Sequence, residues 1–300
     1  MDSILKAIGN TPIVKLNKLV PDNAAEVWVK MEGLNPTGSY KDRMALSVIA
    51  NGLASGSIKS TDTLVEYTGG STGSSLAFVA AVFGLKFIAV SSDAFSQGKL
   101  NAMKKFGAEV LIIPSHGKGI TPELIQEMKR TALQIAEKEG YFYTDQFGSL
   151  NVVRGYEPMG REICNQIGNS IDYFCAAVGT AGAFMGALAG MKSGGANPKA
   201  IALETLQSPL LTEGKGGSHR VEGIGVGFAP PFLNTSKLAE IRAIDQERAF
   251  EMRELLAQKE GLYCGTSSGL NVFAAIELAK TLTANQKVVT LACDSGLKYT

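Results

Sequence analysis

Short apolar segments rich in β-branched residues recur along the chain, and turn residues bound each of them. Segments of this kind are typical of buried strands. We predict seven strands, over 27–32, 63–68, 86–92, 109–114, 173–178, 200–204 and 287–293. Between them, the spacing of apolar residues predicts helices over about 40–55, 72–84, 98–106, 121–138, 152–167, 182–193, 247–259 and 268–282.

The alternation of strand and helix predicts an α/β fold, with mostly parallel sheets covered by helices on both faces. Seven or more strands in 300 residues are enough for two sheets, and hence for two three-layer α/β domains. The segment GYFYTDQFGSLN, residues 140–151, is a candidate crossing point between the two domains.

The balance of charge argues against nucleic acid and membrane surfaces as partners. The chain has 29 basic and 28 acidic side chains, a net charge of +1, and no block of like charge. No apolar run is long enough to span a bilayer, and the N-terminal residues lack the regions of a signal peptide. We therefore expect a cytoplasmic protein.

Cysteine and histidine usage narrows the chemistry. The four cysteines form no C-x-x-C pair and lie in apolar surroundings, so we expect buried reduced thiols at Cys164, Cys175, Cys264 and Cys293. The two histidines, His116 and His219, are far apart, which excludes a multi-histidine metal site and disfavours a Ser-His-Asp triad. We expect no metal, and acid/base chemistry by other residue types.

Two glycine-rich turns each follow a predicted strand and open a predicted helix: EYTGGSTGSSLAFVAA (66–81) and AAVGTAGAFMGALAG (176–190). Because a helix start carries unpaired N–H groups and a partial positive charge, both turns are candidate anion sites. The alternative is that the glycines only permit tight turns. Neither turn has the glycine spacing of a dinucleotide-binding fingerprint or of a Walker sequence.

Lys41 occupies an unusual position in the segment NPTGSYKDR, residues 35–43. Ser39 and Asp42 have capping-box spacing, which places Lys41 in the first turn of a helix. There the helix dipole and low dielectric favour the neutral amine, a nucleophile that can form a Schiff base. The alternative is a solvated first-turn lysine paired with Asp42 or with another nearby acidic residue. A reactive lysine with two anion sites would suit pyridoxal phosphate and an amino-acid substrate.

The chain resembles the cysteine synthase / cystathionine β-synthase family, which are pyridoxal-phosphate enzymes of fold type II, similar to tryptophan synthase β. The resemblance runs through an ordered set of motifs: IGNTPIVKL (8–16), NPTGSYKDR (35–43), MKKFGAEVLIIP (103–114), VEGIGVGFAP (221–230), GTSSGLNVFAA (265–275) and DSGLKYT (294–300).

The resemblance implies a role for each matching residue. Lys41 forms the Schiff base with pyridoxal 5'-phosphate and then exchanges a proton with the substrate α-carbon. Ser267 faces the pyridine nitrogen; the alternative for Ser267 is a helix N-cap, a role open to Ser268 as well. The implied cofactor-binding residues are Lys41, Ser71, Gly179, Thr180, Ala181, Gly182, Ala183, Gly225 and Ser267. The implied substrate-binding residues are Thr68, Gly69, Gly70, Ser71, Thr72 and Gln146.

Two loops depart from the family pattern. The carboxylate loop of the family reads T-S-G-N-T, and here it is TGGST, so that Gly69 lacks a hydroxyl. Ser71 stands where the family has an asparagine that reaches the cofactor ring oxygen. The phosphate loop of the family reads G-T-G-G-T, and here Ala181 and Ala183 replace a glycine and a threonine.

The activity implied by the resemblance is β-replacement on serine or O-acetylserine through an α-aminoacrylate, giving cysteine with sulfide as nucleophile. The alternatives are replacement by homocysteine to give cystathionine, β-elimination by a desulfhydrase or dehydratase, and a non-catalytic homologue. We also predict a homodimer, with serine acetyltransferase as a partner by family analogy alone. We predict a smaller, mobile substrate-side domain (1–12 and 35–145) and a larger cofactor-binding domain (13–34 and 146–300).

Overall fold

The computed structural model describes residues 3–299. Its strands are β1 (Ile13–Lys15), β2 (Glu26–Met31), β3 (Thr63–Tyr67), β4 (Lys86–Ser92), β5 (Glu109–Ile113), β6 (Tyr141–Tyr143), β7 (Tyr173–Ala177), β8 (Lys199–Thr205), β9 (Glu240–Ile244) and β10 (Lys287–Ala292). Its α-helices are α1 (Lys41–Ser55), α2 (Ser71–Phe83), α3 (Gln97–Lys105), α4 (Pro122–Ala136), α5 (Leu150–Ile167), α6 (Gly182–Ser193), α7 (Leu210–Glu213), α8 (Gln246–Leu255) and α9 (Thr266–Ala279). A π-helical segment, Leu256–Glu260, follows α8. Single 3-10 turns cover Ile4–Ala7, Glu32–Leu34, Thr235–Lys237 and Gly296–Tyr299.

The described residues divide into two compact units by their internal contacts. Unit 1 contains the residues up to Ile8, Lys41–Gly155 and the residues from Lys298 onward. Unit 2 contains Gly9–Tyr40 and Tyr156–Leu297. The division drawn from the sequence has other borders. The substrate and cofactor roles that it gives to the two domains stay predictions.

Unit 1 is built on a four-stranded parallel sheet in the order β5-β4-β3-β6. Successive side chains of a strand point to opposite faces. Leu64 of β3 therefore packs in a core with α1, α2 and α3, whereas Val65 of β3 and Val90 of β4 pack with α4. Both faces are covered, as is usual for a parallel sheet. The carboxyl end of β3, where α2 follows, lies between those of β4 and β6.

Unit 2 is built on a six-stranded sheet in the order β1-β2-β10-β7-β8-β9. β1 pairs antiparallel with β2, and the other pairs are parallel. Val27 and Leu203 lie in the core that this sheet forms with α8 and α9. On the other face, Phe174 of β7 stacks on Phe184 of α6 with ring centroids 5.2 Å apart.

The predicted α/β fold with mostly parallel sheets is confirmed. The seven predicted strands correspond to β2, β3, β4, β5, β7, β8 and β10, and the predicted helices correspond to α1–α6, α8 and α9. The sequence analysis missed β1, β6, β9 and the four-residue helix α7. All three missed strands lie at the edge of a sheet. An edge strand is paired on one side only, so it carries a shorter or less apolar segment than a central strand.

Candidate active site

The turn between β3 and α2 is closed by its own threonine. The hydroxyl Oγ1 of Thr68 accepts hydrogen bonds from the N–H groups of Gly70 and Gly73, both at 3.2 Å. Gly70 is the N-cap of α2 and provides no side-chain cap. The N–H groups of Ser71 and Thr72, the first two residues of α2, have no intrahelical acceptor. The turn therefore presents backbone donors at a helix N-terminus, where an anion is favoured.

Gln146 is fixed against this turn through both ends of its side-chain amide. Thr72 Oγ1 donates to Gln146 Oε1 at 2.9 Å, and Gln146 Nε2 donates to the carbonyl oxygen of Tyr67 at 3.1 Å. Both Thr72 and Gln146 are buried. The structure thus brings together the predicted substrate loop and Gln146, which are 74 residues apart in the sequence.

Gly69 leaves room for an aromatic ring. A Cβ at this position would overlap the ring of Phe95, which follows β4. At Gly70 the nearest side-chain atom to such a Cβ is Lys99 Cδ, at 3.9 Å. A side chain at position 69 would therefore force the Phe95 ring to move, whereas a side chain at position 70 would not.

Lys41 is the first residue of α1, in unit 1, and is partly buried. This confirms its predicted place in the first turn of a helix. Asp42 and Arg43, the next two residues, are buried. Lys41, the 68–72 loop and Gln146 all belong to unit 1.

Unit 2 contains the second glycine-rich turn, between β7 and α6. Thr180 Oγ1 accepts the N–H of Gly182 at 3.2 Å. Ala181 is buried and has a left-handed backbone, with φ of +65°. A Cβ on Gly179 would overlap the carbonyl oxygen of Gly223. The 179–183 turn and the 223–227 loop are therefore in backbone contact, and α6 begins at Gly182 with no acidic side chain in its first turn.

Gly225 contacts a histidine that the sequence analysis did not include in the site. His219 Nε2 lies 3.2 Å from the carbonyl oxygen of Gly225, and the ring occupies the space that a Cβ on Gly225 would need. The other ring nitrogen, Nδ1, is buried and has no hydrogen-bond partner among residues 3–299. The backbone of Gly225 is left-handed, with φ of +62°. Glycine at position 225 thus permits the left-handed backbone of the turn and also leaves space for the His219 ring.

Ser267 lies in the first turn of α9 and is buried. The N-cap of α9 is Gly265, which makes no side-chain cap bond, so the capping role weighed for Ser267 is wrong. Ser268 is not the cap either, because it also lies inside α9, and its Oγ accepts the N–H of Cys293 at 2.9 Å. Ser267 and the 179–183 turn belong to unit 2. Their assignment to the cofactor stays a prediction.

Glu66 is a second residue that the sequence analysis missed. It lies on β3, two residues before Thr68, and is fully buried. Burial raises the pKa of its carboxyl to about 7, against the opposing effect of hydrogen bonds from Thr144 and Gln146. The available signal was a single acidic residue within the apolar segment TLVEYT.

The cysteines and the remaining acidic residues provide no further candidate for catalysis or metal binding within residues 3–299. The four cysteines form no disulfide and are buried, and burial raises the pKa of the Cys175 and Cys264 thiols to about 12. Within residues 3–299 no cluster of three histidine, cysteine or acidic side chains is suited to a metal ion. No helix in the described part of the chain is both long and apolar enough to cross a membrane.

Comparison with known proteins gives matches along the full chain. A family model described as pyridoxal-phosphate dependent enzyme matches residues 4–294. A cysteine synthase from Staphylococcus aureus is 38% identical, covering 100% of this chain and 95% of its own. The structure of a hydrogen sulfide-producing enzyme from Fusobacterium nucleatum has a TM-score of 0.91 at 33% identity, covering 100% of this chain and 98% of the other. An O-acetylserine dependent cystathionine β-synthase from Helicobacter pylori has a TM-score of 0.91 at 32% identity, covering 100% and 97%.

Proposed function

The chain belongs to the pyridoxal-phosphate dependent enzyme family, and on that premise we propose that it makes cysteine by β-replacement. The substrate is O-acetylserine or serine, and the nucleophile is sulfide. The Cβ–O bond of the substrate breaks, and its electron pair leaves with acetate or with the hydroxyl of serine. That hydroxyl takes up the proton that hydrogen sulfide gives up and departs as water. A Cβ–S bond forms, and the proton removed from the α-carbon is returned.

The residues of unit 2 fit a bound phosphate ester. The 179–183 turn precedes a twelve-residue helix, and the first turn of that helix has no acidic side chain. The close approach of Gly179 to the Gly223 carbonyl leaves no room for a side chain, so the ligand meets backbone N–H groups. We assign Gly179 to Ala183 to the phosphate and Gly225 to the cleft beside it. The hydroxyl of Thr180 accepts the N–H of Gly182 and can donate its own proton outward.

Lys41 is the proposed covalent anchor and proton carrier. When bound, pyridoxal phosphate supplies an aldehyde carbon for an amine and a conjugated ring that withdraws electrons from the substrate α-carbon. The position of Lys41 at the start of α1 favours its neutral amine, because the helix dipole there disfavours a cation. The neutral amine takes the proton from the α-carbon and later gives it back.

The 68–72 loop is the proposed site of the substrate carboxylate. Ser71 and Thr72 offer backbone N–H groups at the start of α2, a thirteen-residue helix. Gln146 holds Thr72 through the 2.9 Å hydrogen bond and therefore sets the direction of the threonine hydroxyl. A carboxylate held at a helix start orients the substrate, so that its α-carbon meets the lysine in one geometry.

Ser267 is the proposed neighbour of the pyridine nitrogen. Because Ser267 makes no capping bond in α9, its buried hydroxyl is not committed to the helix start. A hydroxyl is neutral, and it does not hold the ring nitrogen in its charged form as a carboxylate would. Beside a neutral Ser267 hydroxyl, the bound ring would withdraw electrons less strongly than beside a carboxylate, which would favour loss of the β-leaving group.

The single observation that supports this proposal best is the hydrogen bond between Thr72 Oγ1 and Gln146 Oε1, in the same unit as Lys41. It combines a carboxylate site with a lysine at a helix start, as an amino-acid enzyme needs. The test is to load the purified protein with pyridoxal phosphate and follow its visible absorption with O-acetylserine or with serine. Sulfide is then added and cysteine is measured. Cysteine formed with one donor, and absent in Lys41→Ala, is the expected result.

A second candidate is β-elimination, which the hydrogen sulfide-producing relative favours. In that case the substrate yields pyruvate and ammonia without sulfide, and added sulfide gives no cysteine. A third outcome, cystathionine formed from added homocysteine, would match the relative from Helicobacter pylori. No change in absorption with either donor would overturn the proposal and favour a non-catalytic role.

We further propose a homodimer in the cytoplasm, with serine acetyltransferase as a partner. The dimer and the partner rest on the family resemblance. The cytoplasm is supported by four buried cysteines that form no disulfide, since a reducing compartment keeps thiols free. Sedimentation equilibrium tests the dimer, and a mass equal to one chain would contradict it.

A further inference from the structure

Glu66 connects the ends of two neighbouring strands in unit 1. It is 0% exposed and lies near the carboxyl end of β3. Three donors reach its carboxylate: Thr144 Oγ1 at 2.7 Å, the N–H of Gln146 at 3.0 Å and the N–H of Tyr67 at 3.1 Å. The donors of Thr144 and Gln146 come from the segment after β6, so Glu66 holds that segment against β3.

The segment that Glu66 holds contains one residue with an unusual backbone conformation. Between Thr144 and Gln146, Asp145 has a left-handed backbone, with φ of +50°. Few non-glycine residues adopt this conformation, and aspartate is among those that do so more readily, through local hydrogen bonds of its side chain. Here the residue on each side of Asp145 donates to Glu66, and Asp145 Oδ1 accepts the N–H of Gly148 at 2.9 Å.

The same hydrogen-bonded chain continues to the proposed carboxylate loop. Glu66 fixes the backbone of Gln146, and the side chain of Gln146 bonds to the Tyr67 carbonyl and to Thr72 Oγ1. A change at Glu66 therefore reaches the first turn of α2 through one residue. Glu66 itself is fully buried and acts through Gln146, which makes it a positioning residue.

We propose that Glu66 positions Gln146 and Thr72 for the substrate carboxylate, and that protonation of Glu66 loosens this site. This inference rests on the proposed function only in assigning a carboxylate ligand to the 68–72 loop. Three donors converge on Glu66, and protonation would leave one of them facing an O–H group. The backbone of Gln146 would then lose its fixed position, and the affinity for a carboxylate would fall.

The surroundings of Glu66 raise the pKa of its carboxyl into the pH range in which the protein can be assayed. Burial raises the pKa of the carboxyl to about 7, and the Asp145 carboxylate adds to the rise. The other titratable groups that face it are Tyr67 on β3 and Tyr143 on β6, and burial raises the pKa of both phenols. Substrate affinity is therefore full above about pH 7 and decreases below it.

The experiment compares two ligands of the pyridoxal-phosphate loaded protein. L-Alanine has an amine and a carboxylate, and ethylamine has the amine alone. Neither has a β-leaving group, so no turnover is needed. The dissociation constants are measured by visible absorption between about pH 6 and about pH 8.5. Their ratio removes the titration of the amines and of Lys41, and it isolates the contribution of the carboxylate.

The ratio in the wild-type protein is expected to lose up to about tenfold per pH unit below the pKa of Glu66. In Glu66→Gln the preference for alanine over ethylamine should be weak, and the ratio of the two dissociation constants should not change with pH. The matched control is Asp62→Asn. Asp62 is also a buried carboxylate that accepts an N–H, from Lys59 at 2.8 Å, but it precedes β3 at its opposite end. This control should keep the wild-type profile.

Two results would overturn the inference: a wild-type ratio in Glu66→Gln, or an equal loss in Asp62→Asn. If Glu66→Gln does not fold, the wild-type profile alone decides, because a ratio independent of pH contradicts the proposal. Glu66→Asp, which keeps the charge, should retain part of the pH dependence. Failure of the proposed cysteine synthesis would leave the alanine profile intact, so the two failures are distinguishable.

Discussion

Gly69 and Phe95 are expected to be energetically coupled. A side chain at position 69 would overlap the Phe95 ring. The backbone of Phe95 is held in place, because its N–H donates to the Ser92 carbonyl at 3.3 Å, and Ser92 Oγ accepts the N–H of Ala94 at 3.2 Å. The substitution Gly69→Ser, which restores the serine of the T-S-G-N-T pattern, therefore forces the ring from its position.

The free-energy cost of Gly69→Ser can be estimated from the packing around position 69. Inserting atoms into a filled space typically destabilises a protein by about 1–3 kcal/mol. Because Phe95 is only partly buried, Phe95→Ala should destabilise it by about 2 kcal/mol, below the range for a core phenylalanine. In the double variant the ring is gone, and Gly69→Ser should then cost less than about 0.5 kcal/mol. The expected coupling is about 1–2 kcal/mol.

The assay is urea unfolding of the cofactor-free protein, followed by circular dichroism, for the wild type, both single variants and the double variant. The matched control is Gly70→Ser, because its Cβ would meet only Lys99 Cδ at 3.9 Å, an ordinary contact. Gly70→Ser and Phe95→Ala should be additive within about 0.5 kcal/mol. Additivity of Gly69→Ser with Phe95→Ala would refute the packing argument.

Three further outcomes are expected. Lys41→Ala should remove all detectable cysteine formation and the visible band of the bound cofactor, and retention of either would refute its role as the covalent anchor. Ser71→Asn should raise cofactor affinity about fivefold through one added hydrogen bond of roughly 1 kcal/mol, measured by fluorescence titration; an unchanged affinity would contradict the contact. The raised pKa of Glu66 stabilises the fold fully below about pH 4.5, and this stabilisation is lost as pH rises through about pH 7. Its size is on the order of 3 kcal/mol, so unfolding free energies should fall less with rising pH in Glu66→Gln than in wild type.

The fold was predictable wherever a strand or helix is long enough to carry its own pattern. β3 and β4 are central strands buried on both faces, so their apolar segments are continuous. β6 has three residues, and β9 reads EIRAI, with charges among its apolar residues. Their identity as strands depends on the neighbour they pair with. The neighbouring strand is distant in sequence, so the residues of β6 or β9 alone do not predict the pairing.

The same distinction applies to the candidate site. A glycine-rich turn that opens a helix is a local feature, so the 68–72 and 179–183 loops were recognised from the sequence. The contact of Thr72 with Gln146 spans 74 residues and depends on the parallel pairing of β3 with β6. His219 was not predicted to lie near the site, because two histidines far apart in the sequence form no recognisable motif, whereas in the structure a single ring packs against Gly225.

Position 69 also changes how the departure from the family loop is understood. From the sequence alone, TGGST is a loop that has lost a hydroxyl, and weaker binding is the natural inference. In the structure, the space that the missing side chain would need is taken by the Phe95 ring. The loop is thus held by packing on one side and by Thr68 and Gln146 on the other. Because the backbone N–H groups of α2 do not depend on the side chain at position 69, the proposed carboxylate site does not require a serine there. Substrate selectivity at this loop should therefore follow Phe95 as much as Gly69.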